Sequence, residues 1–525
     1  MTTSSAPTSR PSGPPSSWLS SSSTLTRDLI AATLLALLAL ALRTVDLGLL
    51  EFKGDEAVGI HLALPMAEGK ALPQVGLMSS VGLHNPPLFI WLTALPVAFT
   101  VDPATVTAVL IGGLNVLAVV LTFWLFRNRL GFWPAVIAAL LFAVSTWPVL
   151  YGRKLWAQDC LPPFSVLLLH VLLLVYEHRR TRWIAAAPVL ACILWQLHFS
   201  GIPVVALTLA ILAFRFRTLN YKALAAGFGL AVLLTVPYLQ FQAGNGWPDV
   251  KGLMAMASGK KADGAPKDPS NRTRFDALQW TGYASVGADL GYSLGDSTEA
   301  FRAERSALGR TLGGVATWGG IVALGLGLAY WVAGLLRRQA DARRPTLPVA
   351  TVFLFGYISL MSVLGLDRIY PHYFIIVYPV PFLLAGVGLA SGLRFGARGV
   401  VVSALATAAI VVGHIATLGE LRSFLRAHGG AAGDYGVILE HKVRLADYAV
   451  THGLKLQRAP GFEYGHLVDM RARYDGVIDE SATIPRAPTS GRSLRVFDGL
   501  RQRSANGIRC RGRQDFGPLV TCPEP

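Results

Sequence analysis

Long apolar runs follow one another along most of the chain, separated by short basic clusters. The runs cover about residues 28–47, 87–101, 104–126, 132–150, 160–176, 183–198, 200–214, 222–240, 312–336, 347–365, 371–391 and 400–418. A helix that spans a bilayer needs roughly 20 apolar residues, with a range of about 17–25. Lys and Arg in short loops stay on the cytoplasmic side, so the clusters set the orientation. "RNR" at 127–129, "EHRRTR" at 177–182, "RFR" at 215–217, "RRQADARR" at 337–344 and "RFGAR" at 394–398 mark that side. With Arg10 and Arg27 keeping the N-terminus inside, run 28–47 exits and run 104–126 must enter. Run 87–101 therefore does not cross. It follows Pro86, contains Pro96 and ends at Asp102-Pro103, which suits a helix lying in the outer interface. The remaining runs predict about eleven transmembrane helices, with the C-terminus outside. Runs 183–198 and 200–214 are short, flank "HFSG", and cross together or not at all. Loop 241–311 is basic although it falls outside, but long loops are exempt from the charge rule.

The flanks differ in character. Residues 1–27 are rich in Ser, Pro and Thr without aliphatic periodicity and read as a disordered cytoplasmic tail. No A-x-A-like site follows run 28–47, which reads as an uncleaved anchor. Residues 419–525 hold no spanning run and read as a small soluble α/β domain on the outer side. Within it "LRSFLRAHGG" and "EHKVRLADYAVTHGL" read as helices, the second ending at Gly453, and "SLRVFDGL" as a strand. The expected fold class is thus an all-α polytopic membrane protein with a small extracytoplasmic α/β domain.

Composition agrees with this. The chain is 52% hydrophobic and 15% charged, where a soluble domain carries about 25% charged residues. The net charge of +16 sits in clusters between apolar runs, which is orientation charge and not a nucleic-acid-binding face. Four cysteines are too few for a disulfide scaffold. Cys510 and Cys522 alone fall in the outer domain, where the compartment is oxidising, and are expected to pair; Cys160 and Cys192 lie in or near spans and stay free.

The outward loops are 48–103, 151–159, 199, 241–311 and 366–370, together with the C-terminal domain. They bring Asp55, Glu56, His84, Asn85, Arg153, Lys154, Asp159, Arg368, His372 and Tyr373 to one face. The span interiors carry almost no ionisable groups, His170 and His414 being the deepest, whereas a transporter lines its pathway with them. A carboxylate at the lipid headgroup level can deprotonate an attacking hydroxyl, and cations there can hold a phosphate as it leaves. That set suits transfer of a sugar from a polyprenyl phosphate.

"GDEA" after the first span, then "HNPPLFIWL", then "YGRKLWAQD", then "RIYPHYFIIVYP", resemble the multi-spanning glycosyltransferases of the GT-C class over most of residues 28–418. They are most similar to glycosyltransferase family 39, the protein O-mannosyltransferase and aminoarabinose-transferase group. The resemblance implies an inverting glycosyltransferase that uses a polyprenyl-phosphate-sugar donor at the outer face of the cytoplasmic membrane, with Asp55 as catalytic base and Glu56 beside it. It also implies substrate contacts for Arg153, Lys154, Asp159, Arg368, Tyr370, His372 and Tyr373 near the donor phosphate. The family often carries a Lys before the Pro-Pro pair. Here that place is Asn85, preceded by His84, which leaves one phosphate contact open.

Blander readings stand beside these. An Asp-Glu pair after a span can be a solvated loop, Arg153 and Lys154 can be snorkelling headgroup anchors, and Asp159 can cap the helix that follows. His198 reads as a packing residue. No spacing reads as a zinc site, though a divalent cation between Asp55 and Asp159 is conceivable. "NRT" at 271–273 matches a glycosylation acceptor pattern that occurs often by chance. Two rival functions remain: a lipid-linked sugar flippase, and a catalytically inactive assembly protein with the same fold. The sugar and the acceptor, whether lipid, glycan or protein, stay open.

Overall fold

The computed structural model describes residues 18–79, 82–177, 181–258, 276–336, 346–363, 369–457, 461–474, 493–500, 508, 510 and 512–524. Among the described residues, seven helical segments are long and apolar enough to cross a membrane: Thr24–Thr44, Pro103–Leu130, Ala157–Tyr176, Tyr221–Gly244, Ala307–Gly334, Thr346–Val363 and Pro379–His428. The last is two helices, Pro379–Ala390 and Gly396–His428, joined by a turn that ends on Gly396 at φ 69°. Shorter apolar helices occupy Leu88–Val97, Phe132–Val144, Arg182–Leu197 and Phe199–Phe214.

The helix ends sort into two sets. Asp28 pairs with Arg127 at 2.7 Å, Arg129 pairs with Glu177, and Arg215 donates to the Tyr176 carbonyl. The ends at 127–129, 176–177 and 215 therefore meet one another or the first long helix. At the opposite ends Arg305 pairs with Glu420 at 2.6 Å, and His84 Nδ1 lies 3.0 Å from Asp249. Between the two levels the helices pack on aromatic rings and close backbone approaches. Phe142 stacks on Phe382 with centroids 5.0 Å apart. A Cβ on Gly386 would lie 2.4 Å from the Pro134 carbonyl oxygen, so only glycine lets these two helices approach so closely.

Three boundaries depart from the sequence expectations. The first helix begins at Trp18, so residues 18–27 are part of it and not of a disordered tail; the Asp28–Arg127 pair holds this stretch against a neighbouring helix. Run 132–150 is not one helix. It breaks at Ser145, at ψ 138°, because Pro148 has no N–H to offer the Val144 carbonyl. Finally, "LRSFLRAHGG" is not a separate helix of the outer domain but the end of Gly396–His428, which stops only at Gly429 in the left-handed conformation, φ 69°.

Beyond Gly429 a short ladder, Gly430–Ala431 with Gly436–Val437, leads into helix Leu439–Thr451, which is followed by Gly453 at φ 62°. A four-stranded sheet follows, in the order Lys455–Gln457, Ser493–Asp498, Leu519–Glu524, Gln514–Phe516. Its first pair is parallel and the others antiparallel. Cys510 and Cys522 are joined in a disulfide with Cα atoms 5.9 Å apart, and Cys160 and Cys192 are free and buried. The domain sits directly on the segment after the first long helix. The Leu439 N–H donates to the Leu50 carbonyl at 2.9 Å, and the buried Lys442 ammonium donates to the Phe52 carbonyl and, at 2.9 Å, to Glu463. The "NRT" at 271–273 lies outside the described residues.

Candidate functional site

The chain leaves its first long helix, makes a single 3₁₀ turn at Leu47–Leu49, and at Gly54 starts a second helix, Gly54–Ala67, that stays at this end of the bundle. Its first turn holds Asp55 and Glu56, where the helix dipole favours negative charge. This turn, Lys53 before it, residues 77–79 and Asn85, residues 155–158 and the 370–372 segment enclose a cavity of about 420 Å³.

The two acids face different surroundings. Asp55 is exposed to the cavity, and among the described residues its carboxylate makes no hydrogen bond or ion pair. Glu56 is fully buried: one carboxylate oxygen accepts the Lys53 N–H at 3.0 Å and the other has no partner. Burial pushes Glu56 up to about 7 against the opposing pull of Lys154. Asp55 is also raised, first by the low-dielectric walls around it, with Lys154 and Lys53 opposing. Although open to cavity water, it is therefore more basic than an ordinary aspartate.

Two lysines stand beside this turn. Lys53 Nζ lies 2.6 Å from Glu51 and 3.0 Å from Asp434 Oδ1, and also donates to the Asp434 carbonyl. Lys154 Nζ bonds the same Glu51 oxygen, lies 3.7 Å from Asp434 Oδ2, and sits over the Trp156 ring at 3.1 Å from its centroid. Burial favours neutral Lys53, but Glu51, Asp434 and Glu56 outweigh it and hold it charged. Burial likewise opposes ionisation of Asp434, and the two lysines overcome it and keep that carboxyl below its usual range.

The far wall is aromatic. Tyr370 stacks on His372 with centroids 5.3 Å apart, Trp156 meets His372 edge-on at 5.2 Å, and Tyr292 meets Tyr370 at 6.3 Å. Tyr373 stands behind them, its ring 4.7 Å from His372 and its carbonyl accepting from Tyr357. His198 lines the cavity too; its Nε2 lies 3.1 Å from the Gln158 amide and its Nδ1 2.9 Å from the Ser200 hydroxyl.

The structure thus brings together Asp55, Glu56, Asn85, Tyr370 and His372 around one cavity, with Lys154 and Tyr373 just behind. Other expected contacts go elsewhere. His84 turns away, its backbone N–H and ring both on Asp249. Arg153 is buried and spends its guanidinium on the Leu42, Arg43, Val45 and Asp46 carbonyls, closing the end of the first long helix; it is not aimed at the cavity. Asp159 is buried without a hydrogen-bond partner for either carboxylate oxygen and does not line the cavity, so it does not meet Asp55 as a cation pair would require. Among the described residues no group of three or more His, Cys, Asp or Glu gathers as metal ligands would. Arg368 lies outside the described residues.

Sequence reasoning missed Glu51, Lys53 and Asp434. Lys53 stands two residues before Asp55 and could have been read with it. Asp434 arrives from 381 residues further along, on a glycine-rich turn of the C-terminal domain, and carried no signal.

Among the solved structures that resemble this chain over nearly its whole length are two of one protein. ArnT from Cupriavidus metallidurans bound to undecaprenyl phosphate matches with a TM-score of 0.54 at 13% identity, covering 96% of this chain and 98% of that one. The same protein in the apo state matches with 0.52 at 12% identity over the same shares. No protein-family model matches the chain, and no curated protein sequence does. The fold is of the GT-C type.

Proposed function

We propose that this protein is an inverting glycosyltransferase of the membrane that moves a sugar from a polyprenyl-phosphate donor to an acceptor hydroxyl, as the resemblance to glycosyltransferase family 39 implies. The observation that carries this reading is the unpaired Asp55 carboxylate opening into a cavity beside two lysines. Asp55 takes the proton from the acceptor hydroxyl as its oxygen attacks the anomeric carbon. The bond from that carbon to the phosphate oxygen breaks on the opposite face. The phosphate leaves as a stable anion, so a strong general acid is dispensable, and the Lys53 and Lys154 ammonium groups stabilise the charge that develops. The aromatic wall of Trp156, Tyr292, Tyr370 and His372 gives the sugar ring a face to lie on. The undecaprenyl phosphate bound to ArnT supports a lipid-phosphate donor.

The topology proposed with it has eleven spans, the N-terminus in the cytoplasm, and the cavity and C-terminal domain outside. Support comes from the clustering of basic helix ends away from the cavity. Purified protein assayed with a panel of polyprenyl-phosphate sugars tests the function. Release of the sugar-free lipid phosphate coupled to a glycosylated acceptor is expected. Binding of such donors with no transfer to any lipid, glycan or protein acceptor would favour the inactive or flippase readings.

A further inference from the structure

Two ammonium groups at this cavity are fully occupied by two carboxylates. Glu51 is buried between Lys53 and Lys154 and contacts both through one oxygen. Asp434 spans the same two lysines from the cavity side, Oδ1 at 3.0 Å from Lys53 and Oδ2 at 3.7 Å from Lys154, with its side chain 37% exposed against 7% for Glu51. The cluster of four is neutral. A phosphate diester brought next to it would meet no net positive charge, only the Asp55 carboxylate that lines the same cavity.

We propose that Asp434 is an exchangeable internal anion, which holds the Lys53–Lys154 pair when no donor is bound and yields it to the donor phosphate. The inference rests on the function proposed above and adds to it a residue of the C-terminal domain. Asp434 presents each carboxylate oxygen to a different lysine, and two non-bridging phosphate oxygens can take those two places. Once Asp434 leaves, Glu51 neutralises one ammonium and the other answers the phosphate.

The moving part is the carboxylate and not the turn that bears it. Gly433 is packed so tightly on residues 294–295 that a Cβ there would lie 2.3 Å from the Leu294 carbonyl carbon. On the other side the Tyr435 N–H donates to the Ser293 carbonyl at 2.9 Å, and its hydroxyl to the Leu49 carbonyl. The Asp434 carbonyl also holds Lys53 independently of the side chain. Rotation about the Asp434 side-chain bonds therefore releases both ammonium groups from its carboxylate while the helix turn that bears Asp55 stays in place.

The test uses the full-length chain in nanodiscs and a short-chain polyprenyl monophosphate as probe. Asp434→Asn should bind it about tenfold more tightly, because a like charge is removed from the site. The gain should vanish in Lys53→Gln/Asp434→Asn. Equal or weaker binding by a folded Asp434→Asn overturns the exchange while leaving the proposed function standing. No binding by either protein overturns both. A second measurement needs no variant: carbodiimide condenses an ion-paired ammonium and carboxylate into an amide with loss of water. A Lys53–Asp434 crosslink should form in the free wild-type protein and be suppressed by the lipid phosphate. A crosslink that persists undiminished at saturating lipid phosphate, or that is suppressed equally by the uncharged polyprenol, overturns the proposal.

Discussion

The Glu56 carboxylate accepts the backbone N–H of Lys53 at 3.0 Å, and that bond commits the second acid of the 55–56 pair to the start of its own helix. Asp55, one residue earlier, has no such commitment and opens to the cavity. Asp55→Asn should therefore lower transfer by a factor of about 10²–10⁴, the usual loss when a general base is removed, with donor binding largely kept. Glu56→Gln keeps an acceptor oxygen for the Lys53 N–H and should lose much less. Side-by-side kcat and donor Kd for the two variants decide the assignment. A dead Glu56→Gln beside an active Asp55→Asn would move the base by one residue.

The two acids also predict two pH dependences. Asp55 must be ionised to act, and it is raised above the ordinary carboxylate range, by burial first. The acid limb of kcat/KM should thus lie above that of a solvent-exposed aspartate, with activity climbing as pH rises. Glu56 has the opposite effect on stability. Its folded value of about 7 exceeds its ordinary 4.5, so the folded protein binds the extra proton between them. Stability should fall as pH rises through that window, with the full penalty above it. Thermal unfolding in nanodiscs from pH 5 to 8 checks this. The wild type should lose a few degrees relative to Glu56→Gln, and parallel curves would contradict the buried carboxyl with one unpartnered oxygen.

Much of the fold was legible because a bilayer leaves the sequence little freedom: a spanning helix must be continuously apolar, and charge must collect at its ends. The break at Ser145 was not, since the run stays apolar across it and only Pro148 interrupts the ladder. Asp55 was legible as an acid placed where a span ends. Arg153 was misjudged for a physical reason. A sequence gives a charge but not its direction, and a guanidinium can serve buried carbonyls as well as a phosphate. Asp434 was invisible because nothing local marks a contact made across 381 residues.

The sorting of helix ends makes the topology testable with single cysteines. Asn128 lies exposed beside Arg127 and Arg129, and Asp515 lies exposed in the C-terminal sheet. In intact cells an impermeant maleimide should label Asp515→Cys and spare Asn128→Cys until the membrane is opened. Native cysteines interfere little, being buried or disulfide-bonded. Labelling of position 128 from outside would invert the orientation and place the cavity in the cytoplasm.

Arg153 offers the sharpest contrast between what its sequence motif implies and what its contacts do. Its guanidinium reaches four consecutive-turn carbonyls at 42, 43, 45 and 46, among them Arg43 at 3.2 Å and Asp46 at 2.8 Å. The Leu42 and Arg43 carbonyls are among those that the first long helix, ending at Thr44, leaves without an intrahelical partner, and Val45 and Asp46 follow directly, at an end where a cation is favoured by the helix dipole. Arg422 assists by donating to the Leu42 carbonyl at 3.2 Å. Arg153→Ala should therefore act on stability, by about 3 kcal/mol if two such groups lose their partner at ~1–3 kcal/mol each. Donor affinity in the surviving folded fraction should be close to wild type. Arg153→Lys should rescue only part of the loss, because one ammonium cannot replace a planar fork across several carbonyls. Thermal unfolding paired with lipid-phosphate binding separates the two roles. A stable Arg153→Ala protein that has lost donor binding would return this arginine to the phosphate site.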